Sequence, residues 1–281
     1  MTAAEAAARL TAIALTIAGS DSSGGAGIQA DLKTFSAFGV YGASVITALT
    51  AQNTRGVQGI ETVSAAFVEE QLRSVLSDLD VDAIKTGMLA NAEIVVTVAQ
   101  ALRAVTPRPL VVDPVMVATS GDVLLAPEAV QAVREALLPL ATVITPNLPE
   151  AAILLGTEQA DSEDEMVNQA TALLRAAGCH AVLIKGGHSM GQTAVDILVS
   201  ASGVERFSRP RVATRHSHGT GCTLSAAITA LLAQGVALSE AVDRAKAYVW
   251  QGLQAGTTLG IGGGKGPIDH LFAIRRRSPP A

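Results

Sequence analysis

Apolar residues along this chain fall into two patterns that alternate. Short, mostly apolar stretches occupy residues 12–18, 45–49, 81–85, 110–112, 143–144 and 182–184. Between them lie longer stretches in which apolar residues recur every three or four positions. The short stretches are typical of strands buried on both faces of a parallel sheet, and the longer ones predict the helices that cover it. The alternation therefore predicts an α/β fold with a doubly wound, mostly parallel central sheet flanked by helices.

Residues that favour helix termini place several helix boundaries. Asn91 is a candidate N-cap, and Pro127 suits the first position of the next helix. Ser162 and Glu165 have the spacing of a capping box. The final helix is predicted to begin near Ser239, whose side chain suits an N-cap.

Two further segments complete the pattern. Residues 64–76 predict a helix with Phe67 among its apolar positions. The apolar runs 195–199 and 204–207 flank a Ser-Gly turn and predict an antiparallel hairpin. The segment 50–54 follows the strand predicted at 45–49 and is too rich in hydrogen-bonding side chains to continue the core.

Composition narrows the class of protein. The chain has 281 residues with no low-complexity linker, so we expect one domain over 1–281 with flexible tails at 1–11 and 276–281. It is 49% hydrophobic and 16% charged, which is enough to bury a large core. A net charge of −5 argues against nucleic-acid binding, because the basic trio 275–277 is short and terminal.

No stretch approaches the ~18 apolar residues of a membrane span, and residues 1–11 do not resemble a signal peptide. The two cysteines, Cys179 and Cys222, do not form a disulfide framework in a chain of this length. We therefore expect a soluble cytoplasmic protein without a membrane partner.

Polar residues recur where the predicted strands end. In an open parallel sheet, ligands bind at the carboxyl ends of the strands, so these residues are predicted to converge. They are Gly19, Ser20, Asp21, Met88, Asp113, Asn147, Glu150 and Lys185. Any one of them alone is compatible with an ordinary turn, and their number indicates a site.

Two glycine-rich turns each open a helix. Residues 24–27 precede a helix that carries Asp31 near its first turns, either facing the same crevice as Asp21 or as a solvated acid. The stretch His218 to Thr223 leads into a second helix, whose free amides and dipole form an anion site. The same position is expected to stabilise a thiolate at Cys222. The alternatives are a small buried cysteine, or a zinc site with His216 and His218, which lacks a second ligand pair at a zinc-binding spacing.

These residue types together suit phosphoryl transfer, which needs donors for phosphate oxygens, a hard cation and a base. Amides at 219–222 and the Lys185 ammonium supply the donors. Asp113 and Glu150 supply oxygen ligands for magnesium. Cys222 or a nearby carboxylate would take the proton. Gly264-Lys265 does not form a Walker A loop, because the earlier glycine and the following Ser or Thr are missing.

Four motifs, in order, resemble hydroxymethylpyrimidine/phosphomethylpyrimidine kinases of thiamine biosynthesis, a branch of the ribokinase-like superfamily. They are AGSDSSGGAGIQAD at 18–31, DPVM at 113–116, TPNLPE at 145–150 and HGTGC at 218–222. The resemblance spans about residues 12–274. It implies a ribokinase-like three-layer fold, ATP and Mg²⁺ as cofactors, and a homodimer. It further implies phosphorylation of 4-amino-5-hydroxymethyl-2-methylpyrimidine to its monophosphate and then to the diphosphate.

Individual roles follow from the same resemblance. Cys222 matches the catalytic base, and Lys185 a phosphate-contacting lysine. Asn147 and Glu150 match a magnesium motif, to which Asp113 is added as an oxygen ligand. The resemblance places the remaining site residues at the phosphate turn, namely Gly219, Thr220 and Gly221, and around the pyrimidine, namely Gly19, Asp31, Gln52 and Met88. Gln52 would face the amino edge of the ring, and some members of the family have glutamate there.

Three other functions stay open from the sequence. A pyridoxal or pyridoxine kinase would use the same scaffold. A thiol hydrolase would pair Cys222 with His216 or His218, which needs a histidine within hydrogen-bond reach. A nucleotide-binding regulator without turnover would normally lack the base or metal residues, and Cys222, Asn147 and Glu150 are present.

Overall fold

The computed structural model describes residues 11–105, 108–116, 125–187 and 191–274. Within these ranges the chain forms one nine-stranded sheet and eight α-helices. The predicted tails and the basic trio lie outside the described residues, except that Thr11 is described. His188, which follows the predicted strand ending at Lys185, also lies outside them.

The strands and helices alternate as the apolar pattern predicts. The strands are β1 (Ile13–Asp21), β2 (Tyr41–Asn53), β3 (Gly56–Thr62), β4 (Ala83–Thr86), β5 (Leu110–Val112), β6 (Val143–Ile144), β7 (Ala181–Lys185), β8 (Thr193–Ser200) and β9 (Gly203–Pro210). The helices are α1 (Gly27–Ala37), α2 (Ala65–Asp78), α3 (Ala92–Arg103), α4 (Pro127–Ala132), α5 (Leu148–Leu155), α6 (Glu163–Ala177), α7 (Thr220–Ala233) and α8 (Leu238–Gly256).

The sheet order is β3-β2-β1-β4-β5-β6-β7-β8-β9. The six strands from β2 to β7 in this order are parallel, and β3, β8 and β9 are antiparallel to their neighbours. The predicted mostly parallel sheet and the hairpin formed by β8 and β9 are therefore confirmed.

Helices cover both faces of this sheet and give three layers. Successive strand residues point to opposite faces, so Leu15 and Ile17 pack with α2 to α6 in one core, whereas Ala14 packs with α1 and α7 in another. On that second side, Val111 and Leu183 pack against α7 and α8. Both cores consist mainly of aliphatic side chains, in keeping with the low aromatic content of 3%, with Phe35 and Phe207 among the buried residues.

The strand predicted at 45–49 runs further than expected, although the polar segment 50–54 stays out of the buried core, as predicted. Strand β2 continues to Asn53 because residues from Ala48 to Asn53 pair with β3, a strand that the sequence pattern did not indicate. These polar residues are accommodated because β3 is an edge strand with mostly exposed side chains. Strand β1 likewise runs on to Asp21, three residues beyond the predicted end.

Several helix details also differ from expectation. Phe67 is exposed, and the buried face of α2 is formed by Ala65, Val68 and Leu72. Helix α8 begins at Leu238, and the Ser239 hydroxyl donates to Glu205 instead of capping the helix.

Two helix starts show which capping boxes form. Ser162 caps α6, but the Glu165 side chain accepts from the Asp161 amide, so the predicted box is half formed. A complete capping box forms instead at the start of α5, between Asn147 and Glu150. In the described residues, no helix combines the length and apolar character needed to cross a membrane.

Candidate active site

A cleft of about 1220 Å³ opens at the carboxyl ends of the parallel strands. Its lining combines strand ends with the glycine-rich turns: Gly19, Ser20, Asp21, Gln52, Lys85, Gly87, Met88, Asp113, Val115, Asn147, Glu150, Lys185, His218, Gly219, Thr220, Gly221 and Cys222. Every site residue predicted from the sequence is among them except Asp31. The volume exceeds that of a typical single-ligand pocket, so the cleft has room for two reactants.

The two glycine-rich turns lie against each other. Gly219 has a φ of 78°, and a Cβ atom there would lie 1.8 Å from the Gly25 carbonyl oxygen. Only glycine fits such an approach. The contact holds the first turn of α7 over the cleft, where the amides of Gly221 and Cys222 have no helical acceptors and are available to an anion.

Lys185 and Asp113 form the centre of the site. Lys185 Nζ lies 2.8 Å from Asp113 Oδ1, and the Ser225 hydroxyl donates to Oδ2 at 3.1 Å. Burial alone would raise the pKa of Asp113, but the ammonium groups of Lys185 and Lys85 hold it below its usual range. Asp113 is therefore an ionised carboxylate in a buried position.

Asn147 and Glu150 are both engaged in the capping box of α5. Asn147 Oδ1 accepts from the Glu150 amide at 2.9 Å, and Glu150 Oε2 accepts from the Asn147 amide at 2.8 Å. Glu150 Oε1 also accepts from the Met116 amide at 3.3 Å. Burial and the nearby Asp113 carboxylate raise the pKa of Glu150. Both residues shape the turn, and Glu150 also brings a carboxyl group to the cleft.

The donor set suits magnesium. Mg²⁺ usually takes one or two carboxylates and completes its shell with water and substrate phosphates. Asp113 and Glu150 are two buried carboxylates facing one cleft, and the charge of Asp113 contributes to the raised pKa of Glu150. A divalent cation between them would relieve that repulsion, so the residues present fit the ion.

Cys222 lies in the first turn of α7, half-buried at the cleft. Burial raises the pKa of the Cys222 thiol to about 11, although the Lys85 ammonium opposes the rise. The expectation that the helix N-terminus stabilises a thiolate was therefore wrong for this site. Desolvation and the nearby Asp31 and Asp113 carboxylates outweigh the Lys85 ammonium and the Gly27 amide, and the group is a neutral thiol near pH 7.

Asp31 lies behind the cleft, where it is buried and not solvated. Its Oδ2 accepts from Lys85 Nζ at 2.9 Å and from the Thr16 hydroxyl at 2.6 Å. The interpretation of Asp31 as a solvated first-turn acid was thus wrong. Its assignment to the hydroxymethyl end of a substrate stays a prediction.

Lys85 is a site residue that the sequence analysis missed. It lies in β4 with no exposed surface, yet it borders the cleft. Burial alone would lower the pKa of Lys85, but Asp31, Cys222 and Asp113 raise it, so the lysine stays charged. A lysine within an apolar strand is the signal that could have revealed it, because buried lysines are rare unless paired.

Other missed residues support the loops around the cleft. Asp196 accepts from the Gly186 amide at 3.0 Å and pairs with Lys246, which fixes the turn after Lys185. Val115 adopts a φ of 36° next to the cleft, which is a strained conformation for a β-branched residue.

Gly19, Met88 and Gln52 occupy the end of the cleft formed by β1, β2 and β4. A Cβ atom on Gly19 would lie 2.7 Å from Met88 Cε, and the Thr47 hydroxyl donates to the Met88 carbonyl at 2.6 Å. Gln52 lies on β2 with its carboxamide near Thr50 and His218. The end of the cleft thus combines an apolar thioether with one carboxamide.

The two histidines near Cys222 are bound to other groups. His218 Nε2 lies 2.8 Å from Asp21 Oδ2, and His216 Nδ1 accepts from the Gly266 amide at 3.1 Å. Because both histidines bond to these other groups, the structure does not favour a Cys-His pair for hydrolysis. The charged groups at the phosphate end of the cleft and the open helix N-terminus of α7 are instead those of a small-molecule kinase of ribokinase-like fold.

Comparison with known proteins identifies the branch. The family model described as phosphomethylpyrimidine kinase matches residues 21–269 of this chain. The chain belongs to the phosphomethylpyrimidine kinase family.

Relatives of this family resemble the chain over nearly its whole length. A hydroxymethylpyrimidine/phosphomethylpyrimidine kinase of Rhizobium meliloti is 59% identical, over 93% of this chain and 98% of the relative. The crystal structure of a Clostridium difficile phosphomethylpyrimidine kinase matches with a TM-score of 0.76 and 45% identity, covering 86% of this chain and 99% of that one. A Bacillus subtilis pyridoxal kinase in an ADP complex matches with a TM-score of 0.86 and 39% identity, covering 93% of this chain and 98% of that one.

Proposed function

We propose that this enzyme transfers the γ-phosphoryl group of ATP to 4-amino-5-hydroxymethyl-2-methylpyrimidine and then phosphorylates the monophosphate to the diphosphate. The observation that supports it best is the Asp113–Lys185 pair facing the first turn of α7, with Gln52 and Met88 at the other end of the same cleft. The names of the relatives supply the substrate, and the cleft supplies a place for each reactant.

The phosphate end is formed by Lys185 and the first turn of α7. The Lys185 ammonium and the amides of Gly221 and Cys222 would bind the non-bridging oxygens, whose charge is spread over the transferred group in the transition state. Asp113 holds Lys185 in place at 2.8 Å. In our assignment Asp113 and Glu150 would hold Mg²⁺, which when bound neutralises phosphate charge.

In the first step, the substrate hydroxyl oxygen bonds to the γ-phosphorus as the bond to the β-bridging oxygen breaks, and ADP leaves with that electron pair. The hydroxyl proton passes to the Cys222 sulfur, which must be a thiolate to accept it. Because burial raises the thiol pKa to about 11, only a small fraction of the enzyme is in this form at pH 7.

In the second step, the acceptor is a phosphate monoester and not a hydroxyl. A monoester has a second pKa of about 6, so its attacking oxygen is already deprotonated at neutral pH. No base is needed, and the Lys85 ammonium at the floor of the cleft is placed to offset the added negative charge. The two steps therefore depend on different residues.

The experiment is direct. The protein is incubated with ATP, Mg²⁺ and, separately, the hydroxymethylpyrimidine, pyridoxine, pyridoxal and ribose, and the products are identified by mass. We expect the monophosphate and then the diphosphate of the pyrimidine. Absence of any product with magnesium present would contradict the kinase assignment.

A pyridoxal kinase is the second candidate, favoured by the match to the Bacillus subtilis pyridoxal kinase. Faster turnover of pyridoxal than of the pyrimidine in the same assay would select it. A homodimer and a cytoplasmic location also stay predictions. Light scattering of the purified protein would test the first of these.

A further inference from the structure

His218 and Asp21 join the two glycine-rich turns next to Gln52. Asp21 Oδ2 accepts from the amides of Gly25 and Ala26 at 3.1 and 2.8 Å, and its Oδ1 accepts from the Ser23 amide at 2.8 Å. Burial would raise the pKa of Asp21, but hydrogen bonds from His218 and Ser23 outweigh it and hold that pKa well below its usual range. Asp21 is therefore an anion with a fixed position.

The ionised Asp21 carboxylate determines which ring nitrogen of His218 carries the proton. Nε2 of His218 lies 2.8 Å from Asp21 Oδ2, and an ionised carboxylate can only accept. The proton of the ring is therefore on Nε2 and points at Asp21. Nε2 then has no lone pair to offer to any other donor.

The direction of the Gln52 carboxamide follows from this tautomer. Gln52 Nε2 lies 3.3 Å from His218 Nε2, and the Gln52 Oε1 position lies 3.1 Å from the Thr50 hydroxyl. Two N–H donors facing each other cannot bond, so the carboxamide must be rotated by half a turn. Its oxygen then shares the Nε2 proton of His218 with Asp21 Oδ2, as the second acceptor at 3.3 Å, and its nitrogen donates to Thr50.

Thr50 is able to accept in this arrangement. Its hydroxyl lies 3.0 Å from the Ser20 carbonyl, which can only accept, so the hydroxyl proton goes there and the lone pairs face Gln52. Each group in the chain of contacts then has a partner of the opposite kind. The carboxamide is left with one N–H and one oxygen lone pair free for a ligand.

We propose that His218 is a positioning residue that fixes the direction of the Gln52 carboxamide, and that this direction sets the preference for an aminopyrimidine ring. The inference rests on the proposed function, because it takes the aminopyrimidine as the ring that Gln52 contacts. The exocyclic amine of that ring donates to Gln52 Oε1 on the His218 side. A ring nitrogen accepts from Gln52 Nε2 on the Thr50 side.

The direction of the Gln52 carboxamide should matter less for the binding of a hydroxypyridine ring than for an aminopyrimidine ring. A phenolic hydroxyl both donates and accepts, so it pairs with either end of a carboxamide. An aminopyrimidine edge has its donor and acceptor in a fixed order and pairs fully with one direction only. Loss of His218 should therefore reduce the use of the aminopyrimidine more than the use of pyridoxal.

A double-mutant cycle tests the proposal. His218→Leu is expected to lower kcat/KM for the hydroxymethylpyrimidine by about tenfold, the effect of one hydrogen bond, with the KM for ATP unchanged. His218→Gln, whose Nε2 can replace the ring donor, should restore most of the loss. Gln52→Leu should lower the same parameter, and adding His218→Leu to it should cause no further loss.

Controls separate positioning from general disruption. His180→Leu is the matched histidine change, since His180 precedes β7 at the opposite end of the sheet, and it should leave every constant unchanged. Asp21 keeps its contacts to Ser23, Gly25 and Ala26 in the His218 variants, so we expect them to fold, which thermal unfolding checks.

The results that would overturn the proposal are specific. The proposal would be contradicted by additive losses in the double variant. It would also be contradicted by equal losses for the pyrimidine and pyridoxal, or by a wild-type kcat/KM in His218→Leu. Calorimetry measures binding of the pyrimidine without turnover, and it allows the same comparison of the wild type with the His218 and Gln52 variants. A wild type that binds the pyrimidine but makes no product would therefore refute the proposed function and still test this inference.

Discussion

The ammonium group of Lys85 lies 2.9 Å from the carboxylate of Asp31, and neither side chain is exposed to solvent. The pair links β4 to α1 directly beneath the cleft. A buried pair of this kind contributes little relative to an apolar pair, but removing one partner leaves the other charge buried alone. A substitution of Lys85 or Asp31 alone is therefore expected to destabilise the floor of the cleft.

We predict that Lys85→Met lowers the free energy of unfolding by about 3–5 kcal/mol, because Asp31 then keeps the Thr16 hydroxyl but loses its counter-charge. Urea unfolding at pH 7 measures it. The double change Lys85→Met with Asp31→Leu should recover part of the loss. Lys33→Met, which removes an exposed lysine from α1, serves as the control, and equal effects at the two lysines would contradict the prediction.

Cys222→Ala should affect the two phosphorylations unequally. We expect kcat for the hydroxyl acceptor to fall by roughly 10²–10⁴-fold, the usual contribution of a general base, and kcat for the monophosphate acceptor to change little. Single-turnover assays started from each acceptor measure the two values. Cys179→Ala is the matched control, because Cys179 is buried next to the amino end of β7, away from the cleft. Similar losses in both steps would show that the thiol is a packing residue.

The thiol also predicts different pH dependences for the two steps. The thiolate is the reactive form, and its fraction increases about tenfold per pH unit below the thiol pKa of about 11. We therefore expect log kcat for the first step to rise with a slope of about one from about pH 6 to about pH 9. The second step should level off once the monoester, with a pKa of about 6, is ionised. A first step that is flat over this range would exclude Cys222 as the base.

Glu150→Gln should separate the charge of this residue from its capping role. Gln can still accept from the Asn147 amide, so the thermal midpoint should fall only slightly, whereas the half-saturating Mg²⁺ concentration should rise by about tenfold or more. Activity titrated against Mg²⁺ and thermal unfolding measure the two effects. Glu165→Gln is the control, because Glu165 accepts from a backbone amide at the start of α6. An unchanged Mg²⁺ requirement in Glu150→Gln would remove this residue from the metal site.

Much of the fold could be predicted because its signals are local. The cap at Asn91 and the proline after Asp113 act within a few residues, and the structure has a capped helix and a strand end where the sequence indicates them. Strand β3 could not be predicted, since its residues gain their conformation from pairing with β2 across the hairpin. The exposed Phe67 was also misplaced, because helical spacing alone does not determine which apolar residues face the sheet.

The candidate site was predictable as a list of residue types but not as a set of contacts. The rule that ligands bind at strand ends brought Asp113, Lys185 and Glu150 together, and these residues do line one cleft. The partnership of Asp31 with Lys85 spans 54 positions and leaves no periodic trace in the sequence. The pKa of Cys222 depends on how many atoms surround the sulfur, which spacing does not reveal.

The hairpin of β8 and β9 has a consequence for engineering. Strand β7 runs towards the cleft, β8 runs away from it and β9 returns, so the turn at Ala201 and Ser202 lies at the far edge of the sheet. Both turn residues are exposed. A fluorescent domain inserted between them would extend into solvent from the face opposite the reactants, and such a fusion should report the location of the enzyme in a living cell while leaving catalysis intact.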